Sequence, residues 1–127
     1  MGYNKYGNKK CQYNGIVFDS KHEMERYKEL LLLQKAHEIS DLQLQVPFVL
    51  IPTQREESSM YYVKGPKKGQ LKFGKVIEKS CVYIADFQYT DKGGNKIVED
   101  AKGKRTKEYM IKRKLMLYIH KIRIKEV

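Results

Sequence analysis

The sequence is poor in cysteine, proline and long apolar runs, and it contains no tryptophan. Its two cysteines, Cys11 and Cys81, make neither a disulfide scaffold nor a zinc cluster, so we expect a reduced, cytoplasmic protein. No uninterrupted apolar run is longer than five residues, which predicts no transmembrane helix and no membrane partner. Residues 1–5 lack the apolar segment of a signal peptide.

Acidic side chains are also scarce. The 127 residues carry 15 Asp plus Glu against 26 Lys plus Arg, a formal net charge of +11. Residues 1–10 contribute +3, residues 11–101 are neutral, and residues 102–127 contribute +8. A solvated face is the alternative explanation, but two basic ends on one small domain favour a polyanion partner. The predicted nucleic-acid contacts are Lys5, Lys9, Lys10, Lys104, Arg105, Lys107, Lys112 and Arg113.

The chain length suits a single domain. We interpret residues 1–15 as a basic N-terminal arm and residues 16–127 as the domain proper. A long polar, Lys- and Gly-rich excursion at 53–80 interrupts the domain, and it could form an irregular hairpin. An excursion of this length is typically functional or mobile.

Alternating and helical periodicities predict an α/β fold. Ser20 and Glu23 have capping-box spacing before a helix, and Pro47 should place its strand at a sheet edge or bulge. The predicted elements are a helix at 21–37, strands at 42–50, 81–89 and 96–102, a helix at 107–119 and a strand at 121–127. This helix-strand-strand-strand-helix-strand core should form a central mixed sheet flanked by helices. Its final strand–helix–strand crossover should be parallel.

Three chemically distinctive side chains lie on the predicted hairpin. Asp86 interrupts an apolar strand face, and Asp100 and Lys102 share one face because they are two residues apart. If the two strands pair so that the numbers of opposite residues add up to 186, Asp86 lies opposite Asp100 with Cβ atoms about 5 Å apart. Facing carboxylates repel each other, and Mg²⁺ would relieve the repulsion. Lys102 could then hold the attacking water or stabilise charge on a phosphate.

Each of these acids also has an ordinary explanation. Asp86 could be a bulge residue, and Asp100 could form an edge-strand ion pair with Lys102. Glu23 could be only a helix cap, although its place beside the buried helix face would also let it reach a metal site at a strand end.

Ala85-Asp86 and Asp100-Ala101-Lys102, in this order of elements, resemble the core of the PD-(D/E)XK nuclease superfamily. That resemblance implies a restriction-endonuclease-like fold. The chain departs from the usual pattern where Ala85 replaces proline, and Glu99 would permit the triplet to be read one residue early. Longer strings are similar to a phage-borne family of short basic proteins, once a domain of unknown function and suspected of Holliday-junction resolvase activity. These strings are 18–23, 83–89, 98–103 and 112–115.

This resemblance implies an endonuclease that depends on Mg²⁺ or Mn²⁺, acts on branched DNA as a homodimer, and works in the host cytoplasm if a phage encodes it. Glu23, Asp86 and Asp100 would be catalytic metal ligands, and Lys102 would assist the nucleophile. Two alternatives stay open. One is a nuclease of the same chemistry acting on flaps or duplex DNA, and the other is a non-catalytic basic module that binds nucleic acid.

Overall fold

The structure is a computed structural model that describes residues 9–127, so the predicted contact Lys5 lies outside the described residues. The chain divides into two compact units. The core unit comprises the chain up to Phe48 together with Ile84–Val127, and the ribbon unit comprises Val49–Tyr83.

Eight strands, two α-helices and a π-helical turn are present in the described residues. In chain order they are β1 (Cys11–Tyr13), β2 (Ile16–Phe18), α1 (Lys21–Lys35), β3 (Ile39–Ile51), β4 (Gln54–Arg55), β5 (Val76–Glu78), β6 (Cys81–Asp91), β7 (Lys96–Asp100), α2 (Lys107–Leu115), the π-helical turn (Met116–His120) and β8 (Lys125–Glu126). The main sheet has the order β3-β6-β7-β8, with β6 and β7 antiparallel and β7 and β8 parallel. A mixed sheet of four strands with two helices confirms the predicted fold class.

A short hairpin precedes the first helix. Asn14 and Gly15 both have positive φ, 52° and 74°, the combination that a two-residue type I′ hairpin turn requires. The turn pairs β1 with β2, so this hairpin crosses the boundary that the sequence predicted after residue 15. Helix α1 then starts where predicted, because the Ser20 hydroxyl accepts the Glu23 backbone N–H at 3.1 Å.

Helix α1 supplies one side of the hydrophobic core. Its Tyr27 and Leu30 are buried, and the Tyr27 ring stacks on Phe87 of β6 with centroids 6.4 Å apart. The buried core cluster consists of Phe18, Tyr27, Leu30, Ile39, Phe87 and Tyr89. Leu32 points away from this cluster and is 69% exposed. The helix ends two residues earlier than predicted, and His37 has a left-handed φ of 62° that α-helix does not allow.

Strand β3 is longer than predicted and lies at an edge of the main sheet. The edge position accommodates Pro47, which has no N–H to donate to a neighbour. Asp41 and Gln45 within the strand each have φ of 53°, and such residues mark bulges that bend an edge strand.

The C-terminal elements depart from the prediction in detail. Helix α2 is α-helical only to Leu115, and the following five residues form the π-helical turn instead of continuing to residue 119. The left-handed Lys121, with φ of 59°, then turns the chain out of the helix. Strand β8 has two residues instead of seven, yet it pairs parallel to β7 as the crossover predicted. None of the helices within residues 9–127 is long and apolar enough to cross a membrane.

Candidate metal and phosphate site

The hairpin of β6 and β7 has the register that the sequence predicted. Phe87 lies opposite Glu99 and Gln88 opposite Val98, so paired residue numbers sum to 186. Asp86 and Asp100 are the residues that follow the last pair of this ladder, and the charge of Asp100 acts on Asp86. The Ala101 backbone N–H donates to Asp86 Oδ2 at 2.9 Å, which fixes the Asp86 carboxylate at the end of β7. Asp100 is only 2% exposed.

Lys102 joins this acidic pair from the segment that follows β7. Its Nζ lies 3.1 Å from Asp100 Oδ1, and the same ammonium stands 4.3 Å from the ring centroid of Tyr109 on α2. A cation over an aromatic face is attracted by the ring quadrupole. Tyr109 therefore helps to hold the lysine beside Asp100. The sequence showed Tyr109 only as an apolar contact of α2.

Glu23 approaches the pair from the first turn of α1. Its backbone N–H completes the Ser20 cap, while its buried carboxylate accepts the Gln45 side-chain amide at 3.2 Å. The pKa of Glu23 is raised to about 7, chiefly by burial and also by the nearby charges of Asp19 and Asp100. Helix capping and proximity to the acidic pair thus coexist at this residue.

Asp86 experiences the same repulsion. Its pKa is raised to about 8, chiefly by burial and also by the charges of Asp100 and Glu23, while the hydrogen bond from Ala101 opposes these effects. Holding these carboxylates ionised together is therefore costly, and a nearby cation would lower that cost.

These donors fit a hard divalent cation. In residues 9–127, no group of three or more His, Cys, Asp and Glu has an arrangement that could hold a metal ion, so Glu23 does not complete a three-residue ligand set with the pair. Mg²⁺ commonly uses only one or two carboxylates, keeping several waters and taking substrate phosphate oxygens. Asp86 and Asp100 can supply those carboxylates.

Glu99, the neighbour of Asp100, serves a different role on the opposite face of β7. It is fully buried, and Arg26 of α1 holds it through two hydrogen bonds of 2.8 and 2.7 Å. The Tyr89 hydroxyl also donates to it. Hydrogen bonding to Glu99 holds the pKa of Arg26 above its usual value, so the guanidinium stays charged. This pairing confirms that Asp100 shares a face with Lys102 and that Glu99 does not.

A comparison with known protein families identifies the family to which the chain belongs. The family model described as "Protein of unknown function (DUF1064)" matches residues 3–126. The chain belongs to the DUF1064 family. No curated protein and no solved structure matches it. The matched segment includes Glu23, Asp86, Asp100 and Lys102, so the candidate site lies within the family domain.

Basic residues of this DUF1064 chain line the surface next to the candidate site. A cavity of about 600 Å³ is lined by Lys102, Gly103, Lys104, Arg105, Glu126 and Val127. Glu126 accepts hydrogen bonds from Arg105 at 2.9 Å and Arg113 at 3.3 Å, and the Arg105 hydrogen bond holds its pKa below the usual value.

The other predicted phosphate contacts have varied surroundings. Lys112 pairs with Glu108 at 3.1 Å, and Lys9, Lys10 and Lys107 are exposed. Surface ion pairs of this kind contribute little to stability, so their cations can turn to phosphate at small cost.

Proposed function

We propose that this DUF1064 protein is a metal-dependent DNA endonuclease that hydrolyses phosphodiesters in branched DNA. The observation that carries the proposal is the carboxylate pair. Asp86 and buried Asp100 adjoin the last pair of the β6–β7 ladder, with the Lys102 ammonium 3.1 Å from Asp100 Oδ1. Two repelling carboxylates and a lysine beside a basic cavity form an arrangement suited to a cation and a phosphate together.

In the proposed site, Asp86 and Asp100 would hold Mg²⁺ or Mn²⁺, with Glu23 close enough to influence both electrostatically. A bound divalent ion would polarise the phosphodiester and lower the pKa of a bound water. Lys102 would orient the attacking water or stabilise the negative charge that develops on the phosphate. Tyr109 would act as a positioning residue, because its ring restricts where the Lys102 ammonium can lie.

Among the possible DNA substrates for this chemistry, we favour the Holliday junction. The resemblance of residues 18–23, 83–89, 98–103 and 112–115 to a family suspected of this activity supports it. Two symmetric cuts in a four-way junction require two active sites, so the proposal includes a homodimer. The exposed Leu32 and Leu33 on the outer side of α1 offer one apolar surface for it.

A non-catalytic basic nucleic-acid-binding module is the second candidate. The ion pair between Lys102 and Asp100 favours it, because that pair neutralises part of the carboxylate charge without a metal. Such a module would lose affinity steeply with salt and would be indifferent to the identity of the divalent ion.

Cleavage of labelled DNA by wild type and Asp100→Asn tests the proposal. The substrates are a four-way junction, a flap and a linear duplex, each incubated with Mg²⁺, Mn²⁺, Ca²⁺ or a chelator. Asp41→Asn is the matched control, because Asp41 is an exposed carboxylate on β3. We expect wild type and the control to cut the junction with Mg²⁺ or Mn²⁺. Asp100→Asn should be roughly 100-fold slower or worse, which corresponds to a loss of several kcal/mol of transition-state stabilisation.

The outcomes separate the candidates. Absence of cleavage in every metal, with tight and salt-sensitive binding, would leave the non-catalytic module. Cleavage of the flap or duplex in preference to the junction would retain the chemistry and replace the substrate. Equal cleavage by Asp100→Asn and wild type would refute the site assignment.

A further inference from the structure

The ribbon unit is a long two-stranded ribbon whose two arms run antiparallel. Gln54 lies opposite Glu78 near one end, and Tyr61 lies opposite Leu71 in an isolated bridge further along. Arg55 lies opposite Val76, so a bulge between Gln54 and Arg55 shifts the pairing by one residue before the bridge. Two backbone hydrogen bonds flank the bridge. The Tyr62 N–H donates to the Gln70 carbonyl at 3.0 Å, and the Lys72 N–H donates to the Met60 carbonyl at 2.8 Å.

A glycine requirement shows that the sequence specifies this ribbon. At Gly74 the two arms approach so closely that a Cβ would lie 1.7 Å from the Glu56 carbonyl oxygen. Only glycine permits this approach, and the adjacent Glu56 N–H donates to the Lys75 carbonyl at 2.9 Å. The excursion predicted at 53–80 therefore has a defined backbone at this point.

One face of the ribbon exposes an unusual number of apolar side chains. Tyr61 is 58% exposed, Val63 74% and Phe73 78%. Tyr61 faces Leu71 across the bridge, and residues two apart on one strand share a face, so Val63 and Phe73 belong to the same face. Solvent-exposed aromatic rings on an ordered backbone are a typical contact surface for a partner.

The charge of the ribbon indicates the chemistry of that partner. Residues 49–83 carry seven basic and three acidic side chains, a net of +4. One cation lies beside a ring of this face, with the Arg55 guanidinium 5.1 Å from the Phe73 centroid. The Lys67 and Lys72 ammonium groups lie 5.8 and 5.5 Å from the ring of Tyr62, the neighbour of Tyr61 in sequence. A nucleotide likewise presents a flat base beside an anionic phosphate. Two ribbons of equal positive charge repel each other, which disfavours a second copy as the occupant.

We propose that the ribbon unit binds unpaired nucleotides, stacking bases on Phe73 and Tyr61 while its lysines and Arg55 contact the phosphates. Stacking on exposed rings recognises any base, and the adjacent cations bind the backbone. The inference shares its substrate class with the proposed nuclease function and extends it to a recognition surface for the unpaired bases of branched DNA. Binding by the ribbon does not require the carboxylate pair.

Fluorescence anisotropy in a chelator tests the inference with the full chain. The probes are a labelled 20-nucleotide oligothymidylate and a 20-base-pair duplex, titrated at several NaCl concentrations. Phe73→Ala and Tyr61→Ala should each weaken oligothymidylate binding roughly tenfold. The slope of the logarithm of the binding constant against the logarithm of the NaCl concentration should be the same as for wild type, because neither substitution removes a charge. Val63→Ala is the matched control on the same face and should change affinity less than about twofold, because it removes no ring.

Further variants distinguish stacking from other causes. Phe73→Tyr should retain binding because it keeps a ring, and Lys67→Gln should reduce the salt slope by about 0.7 if it removes one phosphate contact to a single strand. Far-ultraviolet circular dichroism checks that each variant is folded. The chelator prevents metal-dependent cleavage during the binding measurement. The outcome of the binding assay is therefore independent of the outcome of the cleavage assay with Asp100→Asn.

Four results would overturn the proposal. They are unchanged oligothymidylate affinity in both aromatic variants, an equal loss in Val63→Ala, duplex binding that weakens as much as single-strand binding, or ring-dependent binding to vesicles containing phosphatidylserine without binding to the oligonucleotide. The last result would assign the ribbon to an anionic lipid surface.

Discussion

Replacing Asp86 by asparagine should stabilise the metal-free protein at alkaline pH, although it removes a candidate catalytic group. The carboxylate is half-buried beside Asp100 and Glu23, and its pKa is raised to about 8. Asparagine keeps an oxygen that can accept the Ala101 N–H, so the substitution removes the charge and preserves the hydrogen bond. The effect therefore reports the cost of ionising this carboxylate in the fold.

The sign follows from the direction of the pKa shift. Because the folded-state pKa lies above the unfolded value near 4, the folded state holds a proton that the unfolded chain has released. The stability contribution of Asp86 is fully present below about pH 4 and is lost as the pH rises towards 8. One proton gives at most about 1.4 kcal/mol per pH unit, so two units give an upper limit of about 2.7 kcal/mol. With some discount for partial exposure, the variant should gain about 2 kcal/mol on wild type between pH 6 and 8.

Urea unfolding in a chelator at pH 6, 7, 8 and 9 measures this difference. In thermal unfolding the same gain should appear as roughly 8 °C, since 1 kcal/mol shifts the midpoint by about 4 °C for a chain of this length. Asp41→Asn is the control, because it makes the same substitution at an exposed carboxylate on β3 outside the candidate site. A difference between Asp86→Asn and wild type that is flat from pH 6 to 9, or that favours wild type at pH 9, would refute the reasoning.

Four further predictions concern single residues of the site and the ribbon unit. Arg26→Met should destabilise the protein by about 3–5 kcal/mol in urea unfolding, because it leaves the fully buried Glu99 charge without its main partner; a loss below about 1 kcal/mol, the range of a surface pair, would contradict this. Lys102→Ala should reduce cleavage by roughly 100-fold with little change in junction Kd, whereas a large loss of binding with normal turnover would assign Lys102 to the basic surface. Tyr109→Leu should lower kcat more than Tyr109→Phe, because only Phe keeps the ring beneath Lys102. Gly74→Ala should disrupt the ribbon and weaken oligothymidylate binding, and an unchanged amide spectrum would refute this.

The hairpin that carries the acidic pair was predictable because local chemistry determines it. The segment from Asp91 to Asn95 closes with a hydrogen bond from the Asp91 N–H to the Asn95 carbonyl, and Gly94 supplies a φ of 83°. Strand alternation then fixes which side each later residue faces once the register is set, but the turn alone does not set the register. The sequence therefore brought Asp86 and Asp100 together only for the pairing in which opposite residue numbers sum to 186.

The support around that hairpin was not predictable, because it depends on pairs distant in sequence. Arg26 and Glu99 are 73 positions apart, and neither residue type indicates its partner. Tyr109 is an ordinary apolar residue in a helix pattern, and only the packing of α2 places its ring under Lys102. The π-helical turn after Leu115 likewise has no marker in the sequence, since Met116–His120 would also suit an α-helix.

The distribution of charge is where the structure most changes the interpretation of the sequence. Residues 11–101 have a net charge of zero, but the ribbon unit within them carries a net charge of +4. The rest of this segment, 11–48 with 84–101, carries six basic and ten acidic side chains, a net of −4. The stretches of sequence that contain Asp86 and Asp100 are therefore acidic in sum, while Lys102 and the basic segment that follows it begin beside the carboxylate pair. In the proposed function, the carboxylates would repel a phosphodiester unless a cation were bound there, whereas the ribbon unit and the basic segment would attract phosphate without a metal. We therefore expect ribbon binding and metal-dependent cleavage to be separable in solution.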